Sequence, residues 1–233
     1  MTSNWSAENA TKAYLRALKM GKRGKEPDVG EFISALAAGN NAQLMVIMVS
    51  PNSAGNDAKS TVLALVAAAH QTGGRTICIL PSIHHVHQTK QGLGPYANSV
   101  EFMVRDDART LLLNEYKGAD FVVIDCDMDD YKGLFGAAKE GLKDHGNVKG
   151  VVVGYNALHK ESWCEGGSEE EEENTHFLPI GDGLLVTKIG GSGKVRGGHG
   201  GCKRRSRWVV KVDECTGEEH VFRITSQKEI IKA

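Results

Sequence analysis

The spacing of hydrophobic positions changes several times along the chain, and each spacing predicts a different kind of element. Residues 6–18 and 28–39 place apolar side chains three and four positions apart, which predicts two amphipathic helices. Residues 44–49 are apolar at every position, which is typical of a strand buried on both faces of a parallel sheet. Residues 58–70 are rich in Ala, Leu and Val and predict a buried helix.

The alternation of strand and helix continues through the middle of the chain. Further strands are predicted at residues 76–80, 100–104, 120–124 and 149–153. Helices are predicted at residues 107–116 and 131–142. Short apolar strands that alternate with helices predict right-handed crossovers, and therefore an α/β fold with a doubly wound, mostly parallel sheet.

The pattern changes in the last third of the chain. Five consecutive glutamates at 169–173 repel one another, which predicts a solvated loop over residues 163–176. Turn residues at 181–183, between apolar runs at 177–180 and 184–189, predict a hairpin, so the sheet is expected to end in antiparallel strands. An extra hairpin is predicted from strands at 207–213 and 219–225.

Length and composition favour a single domain, because 233 residues with 40% hydrophobic content can close one sizeable core. This domain divides into an N-terminal helix and linker (1–27), a core (28–190), and a Gly-rich loop with the C-terminal hairpin (191–233). The net charge of -1 provides no general attraction to nucleic acid or to an anionic membrane. No apolar run approaches the roughly 20 residues that cross a bilayer. We therefore expect a cytoplasmic protein, while the basic run at 203–207 leaves a nuclear location open.

In an open α/β sheet, ligands bind beyond the carboxyl ends of the strands. The loop after the first strand contains Ser50, Ser53 and Gly55. Its small residues, its backbone N–H groups and the helix that follows suit a carboxylate or a phosphate. An ordinary turn between strand and helix is the alternative.

The loop after the fourth strand carries the densest group of acids. Asp125, Asp127, Asp129 and Asp130 follow the buried strand directly, and Asn156, after the fifth strand, is expected to face them. Such acids suit a divalent cation with oxygen ligands, or the ammonium group of a cofactor. The alternative is that Asp129 or Asp130 caps the next helix while the others are solvated.

The second strand is followed by Pro81, Ser82 and the histidines 84, 85 and 87. Nucleotide-binding sheets usually place a ribose-binding acid at this point, and it is missing here. A solvated loop is favoured over a histidine metal site, because adjacent histidines diverge on regular structure. The five cysteines form no CxxC pair, which indicates reduced thiols, and Cys126 and Tyr155 are interpreted as core residues.

Four segments carry a resemblance to a known family. They are residues 29–50, DFVVIDCD at 120–127 followed by DY at 130–131, GVVVGY at 150–155, and LPIGDGL at 178–184. In order and spacing they resemble the cation-dependent caffeoyl-coenzyme A and catechol O-methyltransferases of the class I methyltransferase fold. With WSAENATKAY at 5–14 and TGEEHV at 216–221 included, the chain more closely resembles a plant family of uncharacterised methyltransferase-like proteins.

The resemblance implies a Rossmann-like, seven-stranded sheet with S-adenosylmethionine lying over the loops after the first, second and fourth strands. The cofactor contacts that it implies are Ser50, Ser53, Gly55, Ser82, Asp125 and Asp127. It also implies that Asp125 and Asn156 bind a divalent cation, which would hold vicinal hydroxyls of a small-molecule acceptor. A homodimer is implied by analogy with the related enzymes.

The chain departs from this family at several places, and one of them is Met128, where the family has a lysine in the aspartate loop. The family's acid and glycine after the first strand are replaced at residues 48–50, its ribose-binding acid is replaced by Pro81 and Ser82, and its later Asp-Asn metal pair is replaced by Asn156 and Ala157. Loss of a charge-assisted hydrogen bond to the ribose costs about 1.5 to 3 kcal/mol. The resemblance therefore comes with a degenerate cofactor pocket.

Two functional hypotheses follow. The first is a methyltransferase-like protein with a degenerate S-adenosylmethionine pocket that acts as a divergent small-molecule O-methyltransferase. The second is a non-catalytic regulatory module that binds a protein partner, with the hairpin at 207–225 as the candidate surface. The expected partners are thus a small-molecule ligand or a protein, and not nucleic acid or a membrane.

Overall fold

The computed structural model describes residues 5–21, 29–51, 56–104, 107–143, 150–158, 175–189, 205–212 and 219–226. The helices are α1 (Ala7–Gly21), α2 (Val29–Gly39), α3 (Asn56–Thr72), α4 (Ile83–Leu93), a 3-10 helix (Gly94–Ser99), α5 (Ala108–Asn114) and α6 (Tyr131–Lys143). The strands are β1 (Leu44–Met48), β2 (Arg75–Leu80), β3 (Glu101–Val104), β4 (Phe121–Asp125), β5 (Gly150–Tyr155), β6 (Thr175–Leu178), β7 (Leu184–Ile189), β8 (Arg205–Val212) and β9 (Glu219–Ser226).

Seven strands form one sheet in the order β3-β2-β1-β4-β5-β7-β6. Strands β1 to β5 pair in parallel, whereas β7 runs antiparallel to both β5 and β6. Strands β8 and β9 form a separate antiparallel pair. The predicted α/β class, the antiparallel end of the sheet and the extra hairpin are all confirmed.

Strand β1 is apolar at every position because helices cover both faces of the sheet. Along β1, Met45 and Ile47 pack in the cluster that includes α1, α2, α3 and α4, whereas Val46 and Met48 pack in the cluster that includes α5 and α6. The alternation of side chains along a strand therefore divides β1 between two cores. A continuous hydrophobic run is what such a strand requires.

The segment after β2 corrects one expectation. A solvated loop was expected around the three histidines, but residues 83–93 form helix α4. The Ser82 hydroxyl caps this helix by accepting a hydrogen bond from the His85 N–H, and Val86 and Leu93 on one helix face are buried. The polar histidines hid this helix in the sequence. Its signals were the Ser82 cap and the seven-residue spacing between Val86 and Leu93.

Two other expectations lie outside the described residues. These are the loop around the glutamates at 169–173 and the Gly-rich segment after residue 190. Among the residues that the structure does describe, no helix has both the length and the apolar character needed to cross a membrane.

Asp120 fixes the starts of two neighbouring strands. Its carboxylate precedes β4 and accepts hydrogen bonds from the backbone N–H groups of Gln43, at 2.8 Å, and Leu44, at 3.1 Å. Burial raises the pKa of Asp120, and these two backbone hydrogen bonds oppose the shift. The carboxylate thus aligns the amino ends of β4 and β1, at the opposite end of these strands from the expected ligand site.

Helix α1 is anchored to the end of α2. The Ser6 N–H donates to the Gly39 carbonyl at 2.8 Å, and Asn9 Nδ2 donates to Asn41 Oδ1 at 2.7 Å. The Trp5 indole covers Gly39 so closely that a Cβ at that position would clash with the ring. Absence of a side chain at residue 39 is therefore a requirement of this contact.

We expect Gly39→Ala to destabilise the protein by about 1 to 2 kcal/mol, because the added methyl group displaces Trp5. The matched control is Gly136→Ala in α6, where a Cβ would meet no atom within 4 Å. That control should stabilise the protein by about 0.5 to 1 kcal/mol through higher helix propensity. Urea unfolding monitored by circular dichroism measures the free energy of unfolding of both variants. If both substitutions stabilised the protein, or both destabilised it, the proposed clash with Trp5 would be contradicted.

We expect Asp120→Ala to lower the free energy of unfolding by about 1 to 3 kcal/mol, because two backbone N–H groups lose their acceptor. The exposed Asp129 offers a control of equal charge, and Asp129→Ala should change stability by less than about 0.5 kcal/mol. Thermal and urea unfolding compare the two variants. Equal stabilities would show that Asp120 does not hold the strand starts.

Candidate functional site

The carboxyl ends of β1, β4 and β5 meet at the side chain of Asp125. This residue ends β4 and is completely buried. Its Oδ2 accepts a hydrogen bond from the Ser50 N–H at 3.1 Å, and its Oδ1 accepts from the Asp127 N–H and from Asn156 Nδ2, both at 3.0 Å. We call Ser50, Asp125, Asp127, Tyr155 and Asn156 the Asp125 cluster.

The parallel register of the sheet builds this cluster. Asp125 lies directly beside Tyr155 on β5, so the two side chains point to the same face of the sheet. The pairing continues past β4, where the Cys126 N–H donates to the Tyr155 carbonyl at 2.9 Å. The Met128 N–H then donates to the Asp125 carbonyl at 3.2 Å, which closes a tight turn. Asp127 is thereby held next to the Asp125 carboxylate.

Tyr155 supplies a buried hydroxyl beside this carboxylate. Its side chain is 1% exposed, as expected for a core residue, and its hydroxyl has no hydrogen-bond partner within the described residues. Burial, followed by the negative charge of Asp125, raises the pKa of Tyr155 well above its ordinary value. The phenol therefore stays protonated beside Asp125.

The position of Asn156 depends on backbone geometry that an asparagine tolerates well. Its φ of 58° lies in the left-handed region. The next two residues are tied to the turn between β6 and β7, since the Ala157 N–H donates to the Gly183 carbonyl at 3.1 Å and the Leu158 N–H donates to the Asp182 carbonyl at 2.8 Å. Gly183 has a φ of 84°, and a Cβ there would lie 2.7 Å from the Leu158 nitrogen. This turn therefore fixes the loop that presents Asn156.

Asp127 presents a carboxylate to solvent at the rim of the cluster. It is exposed, and its Oδ2 accepts a longer hydrogen bond from Asn156 Nδ2, at 3.4 Å. The Ser50 hydroxyl donates to the Asp127 backbone carbonyl at 3.3 Å. Because N–H donors occupy both oxygens of Asp125, Asp127 is the acid of this pair that a solute reaches.

The other acids of the loop are separate from the cluster. Asp130 precedes α6, and its carboxylate lies against Gly133 in the first turn of that helix. Its backbone carbonyl accepts a hydrogen bond from the Leu134 N–H at 3.0 Å, so Asp130 stands at the N-cap position of α6. Asp129 is exposed.

The remaining predicted site residues lie elsewhere. Ser82 follows β2, the neighbour of β1, and its hydroxyl lies 2.7 Å from His85 Nδ1 while capping α4. No hydrogen bond among the described residues joins Ser82 to the Asp125 cluster. Ser53 and Gly55 lie outside the described residues. The structure thus brings together Ser50, Asp125, Asp127 and Asn156.

The donor set does not fit the divalent cation that the resemblance implies. Over the described part of the chain, no three His, Cys, Asp or Glu side chains form a group that could hold a metal ion. Asp125 faces three N–H groups, and Asn156 turns its nitrogen, rather than its oxygen, towards both acids. Divalent cations such as Mg²⁺ and Ca²⁺ require oxygen ligands.

Sequence analysis did not identify two contributions to this site. The role of Asp182 and Gly183 in fixing the Asn156 loop was missed, although the Gly-Asp-Gly turn signals a left-handed backbone. The contact between Tyr155 and Asp125 was also missed. Its signal was the shared position of the two residues at the ends of adjacent parallel strands.

Solved structures show the fold of this chain in methyltransferases. A methyltransferase of Podospora anserina, bound to S-adenosylhomocysteine, is 12% identical with a TM-score of 0.51, and the match covers 82% of this chain and 91% of that one. A Staphylococcus aureus protein, provisionally assigned as a caffeoyl-CoA O-methyltransferase, is 16% identical with a TM-score of 0.51, and the match covers 79% and 93%. The sheet described above is therefore a class I methyltransferase-like sheet.

Sequence comparisons place the chain in a family. Comparison with curated proteins gives no match. The family model described as "Protein of unknown function (DUF1442)" matches residues 1–224, which is nearly the whole chain. The chain therefore belongs to the DUF1442 family, and its described residues carry a methyltransferase-like fold.

Proposed function

We propose that this protein binds S-adenosylmethionine at the carboxyl edge of β1, β2 and β4 and acts as a divergent small-molecule O-methyltransferase. One observation carries the proposal. The Asp125 cluster joins the ends of β1, β4 and β5 at the edge where ligands of open α/β sheets bind, and it leaves one carboxylate, that of Asp127, facing solvent. The Podospora anserina methyltransferase of the same fold is bound to S-adenosylhomocysteine, which supports this choice of cofactor.

The exposed acid at this edge suits the cationic groups of the cofactor. S-adenosylmethionine carries an ammonium group, a sulfonium group and a carboxylate on its methionine part. Asp127 is exposed and hydrogen-bonded to Asn156 at 3.4 Å, and the two oxygens of a carboxylate offer about four acceptor positions. We therefore assign the contact with the ammonium group to Asp127, and we assign to Asp125 the role of holding Ser50 and Asp127 in place.

The adenosyl end of this pocket is degenerate. Ser82 stands after β2 where related nucleotide sheets carry a ribose-binding acid, and its hydroxyl is engaged with His85. We propose that Ser82 and the loop with Ser50, Ser53 and Gly55 hold the nucleoside through hydroxyl and backbone groups. Without the acid, affinity should be about tenfold to hundredfold weaker than in enzymes that retain it.

Methyl transfer to a hydroxyl acceptor requires alignment above all. When bound, the cofactor would give its sulfonium methyl group to the acceptor oxygen: the carbon–oxygen bond forms as the carbon–sulfur bond breaks, S-adenosylhomocysteine leaves, and the hydroxyl proton passes to water. The protein's contribution is to fix that group in line with the acceptor oxygen, which lowers the barrier without covalent catalysis. The strand ends that Asp125 ties together provide such a rigid frame.

Isothermal titration with S-adenosylmethionine and S-adenosylhomocysteine tests the proposal. We expect the protein to bind both, and Asp127→Ala to weaken S-adenosylmethionine binding about tenfold because a charge-assisted contact is lost. Asp129→Ala removes an exposed acid of equal charge from the same loop and should change affinity by less than about twofold.

Circular dichroism of both variants controls for folding. Absence of heat from the unmodified protein up to millimolar cofactor would contradict the proposal and favour the non-catalytic module. Equal S-adenosylmethionine affinities of Asp127→Ala and Asp129→Ala would contradict only the assignment of the ammonium contact to Asp127, and not cofactor binding itself.

A further inference from the structure

We infer that the Asn156 amide bridges the Asp125 and Asp127 carboxylates at the place where the resemblance to cation-dependent methyltransferases would put a divalent cation, so that this edge of the sheet works without one. Asn156 is then a positioning residue that acts through Asp125. The inference concerns the free protein and goes beyond the proposed cofactor binding.

The protein itself supplies the hydrogen bonds that the buried Asp125 carboxylate needs. The carboxylate is 0% exposed, and three N–H groups donate to it at 3.0 to 3.1 Å. The Tyr155 hydroxyl lies on the same face beside it. Hydrogen bonds of this kind stabilise the charged form of a buried carboxylate without a counter-ion.

The Asn156 amide bridges the carboxylates of Asp125 and Asp127. One nitrogen, Nδ2, lies 3.0 Å from Asp125 Oδ1 and 3.4 Å from Asp127 Oδ2. An amide nitrogen has two N–H groups, so it can donate to both carboxylates at once. Two nearby carboxylates repel each other, and a hydrogen-bond donor placed between them reduces that repulsion, although a neutral amide does so less than a cation.

The surrounding chain holds the Asn156 amide in this place. The left-handed backbone of Asn156 and the hydrogen bonds that tie the next two residues to the turn at Asp182 and Gly183 fix the loop. To ligate a cation, Asn156 would have to turn its Oδ1 towards the acids, and Asp125 would lose a donor.

The inference has a consequence for the acceptor, which rests on the proposed function. A cation recognises an acceptor by binding two vicinal hydroxyls. Without a cation, acceptor choice does not require a catechol-like pair, and a single hydroxyl suffices. Acceptor screens should therefore include compounds with one hydroxyl group.

Titration with Mn²⁺ alone, followed by electron paramagnetic resonance, tests the inference in the absence of any cofactor. We expect no stoichiometric Mn²⁺ binding to the unmodified protein. Asn156→Asp converts the bridging amide into a third carboxylate and should bind one Mn²⁺ at least about tenfold more tightly. Asn98→Asp adds the same charge at an exposed residue of the 3-10 helix and should leave Mn²⁺ binding unchanged.

Thermal unfolding adds a second readout. Asn156→Asp should lower Tm in the absence of metal, through repulsion between carboxylates, and Mn²⁺ should restore it. One Mn²⁺ bound per unmodified chain and lost in Asn156→Ala would overturn the inference, and so would a folded Asn156→Asp variant that gains no Mn²⁺ binding. Because these titrations contain no cofactor, their outcome is independent of whether S-adenosylmethionine binds.

Discussion

A buried carboxylate has to be satisfied, and the site of this protein depends on how that is done at Asp125. Removing an ionised carboxyl group from water is costly unless donors replace the lost hydration. The protein supplies them from three different places in the chain: the residue after β1, the turn after β4 and the loop after β5. One acidic side chain thereby fixes the relative positions of the strand ends that face the ligand edge.

The sheet and the turn between β6 and β7 make this arrangement possible. The order of the strands places β4 between β1 and β5, so that the three carboxyl ends are adjacent. Gly183, in its left-handed conformation, lets the turn approach the Asn156 loop closely. Within the Asp125 cluster, the satisfied interior leaves Asp127 as the exposed carboxylate at the rim. We propose that such a site suits the cationic groups of S-adenosylmethionine better than it suits a divalent metal.

Much of the fold could be predicted from the sequence because strands buried on both faces must be apolar throughout. Residues 44–49 and 121–124 met that condition, and the structure has strands there. Helix α4 was missed because its exposed histidines dominate the segment, whereas its cap and its two buried side chains are sparse signals. Spacing placed the acids and Asn156 at one edge, since parallel strands end together.

The orientation of the Asn156 amide could not be predicted in the same way. It depends on a left-handed φ and on contacts with a turn that follows it by 25 residues or more in the chain, and no local pattern carries that information. The contact between Asp125 and Tyr155 likewise depends on the register between two strands. The sequence could therefore identify residues of the site, but how they act together could be inferred only from their positions relative to one another in the structure.

A crystal structure grown with S-adenosylhomocysteine and MnCl₂, with data collected for an anomalous difference map, tests the central claim most directly. The account predicts S-adenosylhomocysteine at the carboxyl edge of β1, β2 and β4, Asn156 Nδ2 still donating to Asp125, and no anomalous peak beside that carboxylate. An anomalous peak coordinated by Asp125 and Asn156 Oδ1 would contradict it.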